Sequence, residues 1–180
     1  MIDIIEATSA HVPDLARIHL ASKLAAEKGI VDPEYLASFS QEIYEEKWTR
    51  FLQAEDAQQY MLFDEGVAVG LISFGKLRTA PSGTSKIRPL YSSEIYAIYI
   101  HPDHFQKGYG KALFKKAVQK LREEKHKSLC LWALEKNKNA GAFYSQLKGE
   151  RVGKQQVQMG RYKVTEACYA WRNISVIEEL

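Results

Sequence analysis

Residues 94–118 read EIYAIYIHPDHFQKGYGKALFKKAV, and they constrain the fold more than any other stretch. The run EIYAIYIHP is almost continuously apolar and ends at Pro102, which fits a strand buried on both faces in the middle of a sheet. A helical pattern follows, with Leu113, Ala117 and Leu121 on one face and Lys115, Lys116 and Lys120 around the rest. Yet its start carries Gly108, Gly110, Lys107 and Lys111. Each glycine costs a helix roughly 1 kcal/mol relative to alanine. Lysine there faces the positive end of the helix dipole. Local rules tend to break together at functional sites. A strand, a glycine turn and a helix start form a physical solution for holding phosphates. Glycine allows positive φ and close backbone approach, and the free N–H groups of the first turn point at an anion. Lys107 and Lys111 are candidate phosphate neighbours.

The rest of the chain supplies the setting. IDIIEA predicts a first strand. TSAHVPDLARIHLASKLAAEKG predicts a helix with Leu15, Ile18, Leu24 and Ala25 at helical spacing and Gly29 as its stop. DPEYLASFSQEIYEEKWTRFLQ reads as a second helical region, with Ser40 as a cap and Tyr44, Trp48, Phe51 and Leu52 as a stripe. Two apolar runs around Asp64-Glu65-Gly66 predict a hairpin. The segment RTAPSGTSKIRPLYSS is turn-rich, with Pro81, Gly83 and Pro89, and it carries Arg78, Lys86 and Arg88. It reads either as a solvated loop or as the border of a substrate cleft. SLCLWAL predicts another buried strand, and NKNAGAFYSQLKG a short helix with Ala140, Phe143, Tyr144 and Leu147 on one face. RVGKQQVQMGRYKVTEACYAW predicts two strands around Gly160. The order βααβββαβαββ means an α/β (α+β) chain with at least one strand–helix–strand unit. With no linker or repeat, residues 1–180 read as one domain.

Charge and cysteines narrow the function classes. With 25 basic and 22 acidic residues, the net charge of +3 is too balanced to imply nucleic-acid binding. Cys130 and Cys168 lie in apolar runs and offer neither a disulfide framework nor zinc spacing. They read as small buried hydrophobes in a reducing compartment. His101 and His104 flank Pro102 without a third ligand, so no metal is expected. The start MIDIIEATSAHVPD does not have the pattern of a secretory leader, and no run approaches the ~18 apolar residues of a membrane span. A cytoplasmic protein without membrane attachment is expected.

Two phosphate-binding patterns fail on spacing. A Walker A loop needs a Ser or Thr after Gly110-Lys111, where Ala112 stands, and a glycine five positions before Gly110. A dinucleotide fold needs Gly-x-Gly-x-x-Gly, and only Gly108-x-Gly110 is present. EIYAIYIHPDHFQKGYGKAL instead resembles the acetyl-CoA-binding motif of the GNAT N-acetyltransferase superfamily. That motif is an apolar strand, a turn, Arg/Gln-x-x-Gly-x-Gly/Ala and an amphipathic helix. NKNAGAFYSQLKG resembles the family's Asn-x-x-Ala-x-x-Phe-Tyr helix, in the expected order after the next strand. The N-terminal strand and helices are similar too, so the resemblance covers most of the chain. One position departs: Phe105 falls where the family has Arg or Gln, and Gln106 is one residue late. Because backbone N–H groups supply most of the phosphate grip, binding is expected to survive.

The resemblance implies a GNAT fold: a mixed, mostly antiparallel sheet of about seven strands, splayed between the fourth and fifth, with about four flanking helices. It implies acetyl-CoA as cosubstrate. The pantetheine arm would lie beside the fourth strand like an added strand, near Ile98, Tyr99 and Ile100. The pyrophosphate would rest on Gln106, Lys107, Gly108, Tyr109, Gly110 and Lys111. An alkyl amine has a pKa near ~10.4, so it must lose a proton before attacking the thioester directly. Glu94 is the candidate base, directly or through water, and alternation puts it on one face with Tyr96, Ile98 and Ile100. Tyr96 and Tyr99 are alternatives for shaping the acceptor pocket. The thioester oxygen needs a donor, for which a backbone N–H of the fourth strand is available. Tyr144 matches the family tyrosine facing the CoA sulfur and is the candidate general acid; plain packing beside Phe143 is the other reading. Asn137 is either a CoA contact or simply a helix cap. The expected acceptor is a primary amine of a small molecule. A protein or peptide acetyltransferase and a non-catalytic acyl-CoA-binding module are the alternatives. A homodimer stays open, with RYKVTEACYAW as the candidate interface strand.

Overall fold

The computed structural model describes residues 1–78 and 91–177. Strand β1 (Ile2–Glu6) leads into helix α1 (Val12–Glu27), α2 (Pro33–Ala37) and α3 (Gln41–Phe51). The hairpin β2 (Ala57–Asp64) and β3 (Val67–Lys76) precedes β4 (Ser93–Ile100). Helix α4 (Tyr109–Glu123), β5 (Leu129–Leu134), α5 (Lys138–Gln146), β6 (Glu150–Met159) and β7 (Tyr162–Trp171) complete the order. The second helical region is thus two helices. Asp32 caps α2, accepting from the Glu34 N–H at 3.1 Å with Pro33 next, and Ser40 restarts the chain by accepting from the Ile43 N–H at 3.4 Å.

The seven strands form one sheet in the order β1-β2-β3-β4-β5-β7-β6, so β4 is central as its apolar run predicts. All neighbours are antiparallel except β4 and β5. Glu65 and Gly66, at φ 51° and 82°, make the two-residue hairpin turn. One expectation changes. RYKVTEACYAW is mostly β7, and both edges of β7 are occupied, by β5 and β6. The free strand edge on that side belongs to β6, so β7 has no edge to lend to an interface.

One face of the sheet is dry. Leu113, Phe114, Ala117, Val118 and Leu121 of α4 pack with Tyr144 of α5 and with Leu147 just after it on Ile72, Phe74, Ile95, Leu129 and Leu131. Each fully buried side chain of this size contributes roughly 1.5–3 kcal/mol. Trp171 closes the end of this layer, its Nε1 donating to the Leu147 carbonyl at 2.7 Å.

The other face carries α1 and α3, with Leu15, Ile18, Tyr44 and Trp48 on Met61 and Leu71. Here the expected α1 stripe fails halfway. Leu24 is 39% exposed and Ala25 is exposed, while Ser22, Lys23 and Glu27 are buried. The second half of α1 faces polar neighbours, and a Lys23–Glu27 ion pair at 2.6 Å makes burial of both charges tolerable.

Candidate active site

The site begins where the sheet comes apart. β4 and β5 pair only through Ser93, Glu94 and Ile95 with Leu129, Cys130 and Leu131. From Tyr96 onward β4 keeps β3 on one side, and among the described residues no strand lies on the other. β5 continues to Leu134 against β7. The two strands therefore diverge, and backbone N–H and C=O groups of Tyr96–Ile100 border the gap. Ile98, Tyr99 and Ile100 lie on this unpaired stretch.

A β-bulge re-aims β4 at the same place. Ser73 faces Ala97 and Phe74 faces Ile95, so Tyr96 is the extra residue. The strict alternation expected of Glu94, Tyr96, Ile98 and Ile100 does not hold. Ile95, Ile98 and Ile100 pack on the dry face, whereas Ala97 and Tyr99 pack on the α1–α3 face. Glu94 pairs in register with Cys130, whose neighbours Cys168 and Tyr91 also lie away from the dry face. Side-chain period 2 cannot survive an inserted residue. The side chain of Tyr99 consequently points away from the isoleucines and stacks on His19, ring centroids 4.1 Å apart.

Beyond β4 the chain turns through Pro102–His104 and enters α4. Gln106 and Gly108 both have positive φ, 62° and 82°. Alternating handedness of this kind turns successive N–H groups toward one point, and α4 begins at the next residue. The two glycines do different work. Gly108 is needed for its φ, since nothing lies within 4 Å of a Cβ built there. At Gly110 a Cβ would meet the Phe143 ring at 3.2 Å, so this glycine lets α4 close on α5. Lys107 and Lys111 are exposed. The Tyr109 hydroxyl donates to Asp64 at 2.5 Å, which turns its side chain to the β2–β3 hairpin and leaves only its backbone in the loop. Phe105, at the departing position, is 46% exposed.

Asn137 caps α5, accepting from the Ala140 N–H at 3.1 Å. Tyr144, two turns on, is 7% exposed and lies 5.3 Å from the rings of Phe143 and Tyr169. Burial first, then the Tyr169 phenol, pushes its hydroxyl well above the usual phenol range, so it stays protonated. Glu94 is half-buried, and burial is the main cause raising its carboxyl above the ordinary carboxylate range. The Arg78 N–H donates to it at 3.1 Å and opposes the shift. The Arg78 guanidinium lies 3.4 Å from the Tyr96 ring centroid, and the Tyr96 hydroxyl donates to the Lys76 carbonyl. Arg78 therefore reaches the site; Lys86, Arg88 and the prolines of that loop lie outside the described residues. Among the described residues, no group of three His, Cys, Asp or Glu could hold a metal ion.

Sequence reasoning missed the polar lining opposite. His19 stacks on Tyr99 and meets the Tyr44 ring at a tilt, with centroids 4.1 and 4.2 Å away. Burial, then Lys23 and Lys47, lower its pKa to about 3, so it is neutral. Glu27 and Glu166 both act on the Tyr99 phenol. None of these had a local signal, because a Lys–Glu pair four apart on a helix ordinarily marks a solvated face. Asp32, 1% exposed, accepts from the N–H and Nε of Arg161 at 2.9 and 3.1 Å and so ties α2 to the β6–β7 turn.

A split sheet whose central strand runs into a left-handed turn and a helix start offers an edge to an extended ligand arm and a cradle to its phosphates. The chain belongs to the GNAT family of acetyltransferases: the model described as Acetyltransferase (GNAT) family matches residues 26–149. It is an N-acetyltransferase. It is 27% identical, over 100% of its length and 98% of the relative's, to the uncharacterized N-acetyltransferase YuaI of Bacillus subtilis (strain 168). Among solved structures, the PaiA N-acetyltransferase of Thermoplasma acidophilum, in complex with coenzyme A, superposes with a TM-score of 0.69 at 19% identity, over 92% of this chain and 98% of that one. YncA, a putative acetyltransferase of Salmonella typhimurium with its cofactor acetyl-CoA, gives 0.68 at 17% identity, over 94% and 92%.

Proposed function

We propose that the protein acetylates a primary amine of a small molecule, with acetyl-CoA as the donor and direct attack of the amine. The observation that carries this reading is the gap between β4 and β5, which ends at the left-handed turn Gln106–Gly108 and the start of α4. Its parts fit the parts of the donor. The unpaired edge of Tyr96–Ile100 offers backbone groups to an extended amide-bearing arm. The N–H groups around Gly108–Lys111 offer a cradle to a pyrophosphate, with Lys107 and Lys111 beside it. Asn137 caps α5 with its side-chain oxygen, and its amide N–H groups are the part available to the donor.

Bound acetyl-CoA supplies an activated acetyl thioester. Glu94, with its raised pKa, takes the proton that the acceptor ammonium must lose. The bulged backbone at Tyr96–Ala97 presents an N–H to the thioester oxygen as charge develops there. Tyr144 holds a proton on its buried hydroxyl and gives it to the sulfur as the C–S bond breaks and the N–C bond forms. Glu94 pairs in register with Cys130, away from the dry face that holds Tyr144, which supports separate roles for the two groups.

The bridge from Asp32 to Arg161 supports a small acceptor over an extended peptide. It joins α2 to the β6–β7 turn, and Val31, Leu36 and Val164 pack beneath it against Leu134. A bridge of this kind favours a compact acceptor, because an extended peptide needs an open groove.

Calorimetric titration with acetyl-CoA, followed by an amine panel scored for CoA release, tests the reading. The expected result is micromolar binding and turnover on at least one small amine. Absence of acetyl-CoA binding overturns it.

A further inference from the structure

The far half of the sheet carries a carboxylate that the proton transfers leave unused. Along β7, Tyr169 and Trp171 face the dry layer, whereas Val164, Cys168 and Ala170 face the other way. Alternation puts Glu166 with the second set. The same alternation runs along β5, where Leu129 and Leu131 are dry and Cys130, Trp132 and Leu134 lie opposite. Cys130 stands in register with Glu94, and Leu134 with Glu166. The two carboxylates therefore share one face of the sheet. Glu94 sits on β4 where its pairing with β5 ends, and Glu166 sits beside the last residue of the β5 wall of the gap.

Glu166 is held in place but left without a countercharge. It is half-buried, and Gln155 of β6, in register with it, donates from Nε2 to its Oε2 at 2.8 Å. Among the described residues no cation pairs with it. Lys154 and Lys163 alternate to the opposite face. Arg161 is taken by Asp32 and Glu34, Lys23 by Glu27, and the Arg78 guanidinium lies over the Tyr96 ring. Apolar clusters flank Glu166 on both sides along β7, around Trp132 and Cys168 on one side and around Leu134 and Val164 on the other. Glu166 and Gln155 are the polar break between them. A half-buried carboxylate in such a setting is costly alone and is relieved by a cation seated against it. Its charge also reaches the chemistry, because it raises both the Glu94 carboxyl and the phenol of Tyr99, which lies on the unpaired stretch of β4.

Resting on the proposed acetyltransferase reading, we propose that the acceptor is an amine with a second positive charge, its reacting nitrogen at Glu94 and its second cation on the Glu166 carboxylate. Glu166 is the specificity-determining residue and takes no part in proton transfer. Gln155 positions it. The step from Cys130 to Leu134 covers roughly 13 Å of strand, and the two carboxylate side chains shorten that span to a spacer of several methylenes. Trp132 and Leu134, on the same face, supply the apolar surface for the spacer.

Matched acceptors test this. The pairs are 1,4-diaminobutane with 1-aminopentane and 1,6-diaminohexane with 1-aminoheptane, in which a methyl group replaces the far ammonium; 6-aminohexanoate carries the opposite charge. The expected result is a kcat/KM for at least one diamine about tenfold or more above its monoamine, with 6-aminohexanoate the poorest. Glu166→Gln brings the diamine-to-monoamine ratio close to one through the KM of the diamine, with acetyl-CoA affinity in calorimetry retained. Glu166→Asp, which keeps the charge, retains the preference. Normal acetyl-CoA binding with turnover that favours neutral or anionic amines overturns this inference and leaves the acetyltransferase reading standing. A diamine preference that survives Glu166→Gln also overturns it. Loss of acetyl-CoA binding in the wild-type protein would instead sink the underlying reading.

Discussion

The two faces of the sheet are built by different rules. Under α4 and α5 the buried contacts are mostly apolar or aromatic, and the stripes follow helical spacing. Under α1, α2 and α3 the buried set includes Lys23, Glu27 and Asp32, and His19 Nδ1 and Glu27 Oε2 are buried without a partner. Burying an unpaired polar atom costs about 1–3 kcal/mol. The dry face supplies stability. The polar face gives some up to bury charged groups.

Substitutions on the two faces should therefore separate stability from activity. The largest effect is expected on the dry face. Leu121→Ala should lower unfolding free energy by about 2–5 kcal/mol in denaturant titrations, while leaving kcat near wild type in the folded fraction. Also on the dry face, Tyr144→Phe keeps the ring packing and removes the proton. It should lower kcat about 10²-fold with stability and acetyl-CoA affinity nearly unchanged; an unchanged kcat would return Tyr144 to a packing role. Glu94→Gln should lower kcat/KM about tenfold, since water can replace part of a base's work. The sign of its pH dependence is fixed. A raised carboxyl pKa means that wild-type kcat/KM falls as pH drops through a value above the usual carboxylate range. The Gln variant should lose that acid limb, and an unaltered pH profile would remove Glu94 as the base.

The smallest effect belongs to the clamp of α2. Arg161 holds the Asp32 carboxyl below its ordinary value of 3.8. The stabilisation is therefore fully present above that ordinary value and is lost as pH falls through the depressed one. Asp32→Asn should lower the Tm slightly at neutral pH, and the gap to wild type should close in acid. A gap that is constant with pH would mean that packing, not charge, holds α2 to the hairpin.

Much of this architecture was legible beforehand. The β4 run, the hairpin at Glu65-Gly66, the α4 stripe and the α5 stripe all lie where local pattern puts them. Apolar periodicity reports a dry interface faithfully, because only burial selects it. The same logic misled on α1. Leu24 and Ala25 continue the period, yet the helix turns Lys23 and Glu27 inward. The bulge at Tyr96 was equally silent, since nothing in EIYAIYI distinguishes an inserted residue from a regular strand.

The sequence by itself determined the order of elements, the apolar layers and the glycine turn that starts α4, because these depend on neighbours a few residues apart. Only the tertiary structure decided that β4 and β5 part after Ile95, that Gly110 serves Phe143, and that His19, Lys23 and Lys47 share a cavity. Those contacts join residues far apart in the chain. Whether a charge there is solvated or buried depends on what lies across from it, and no local pattern encodes that.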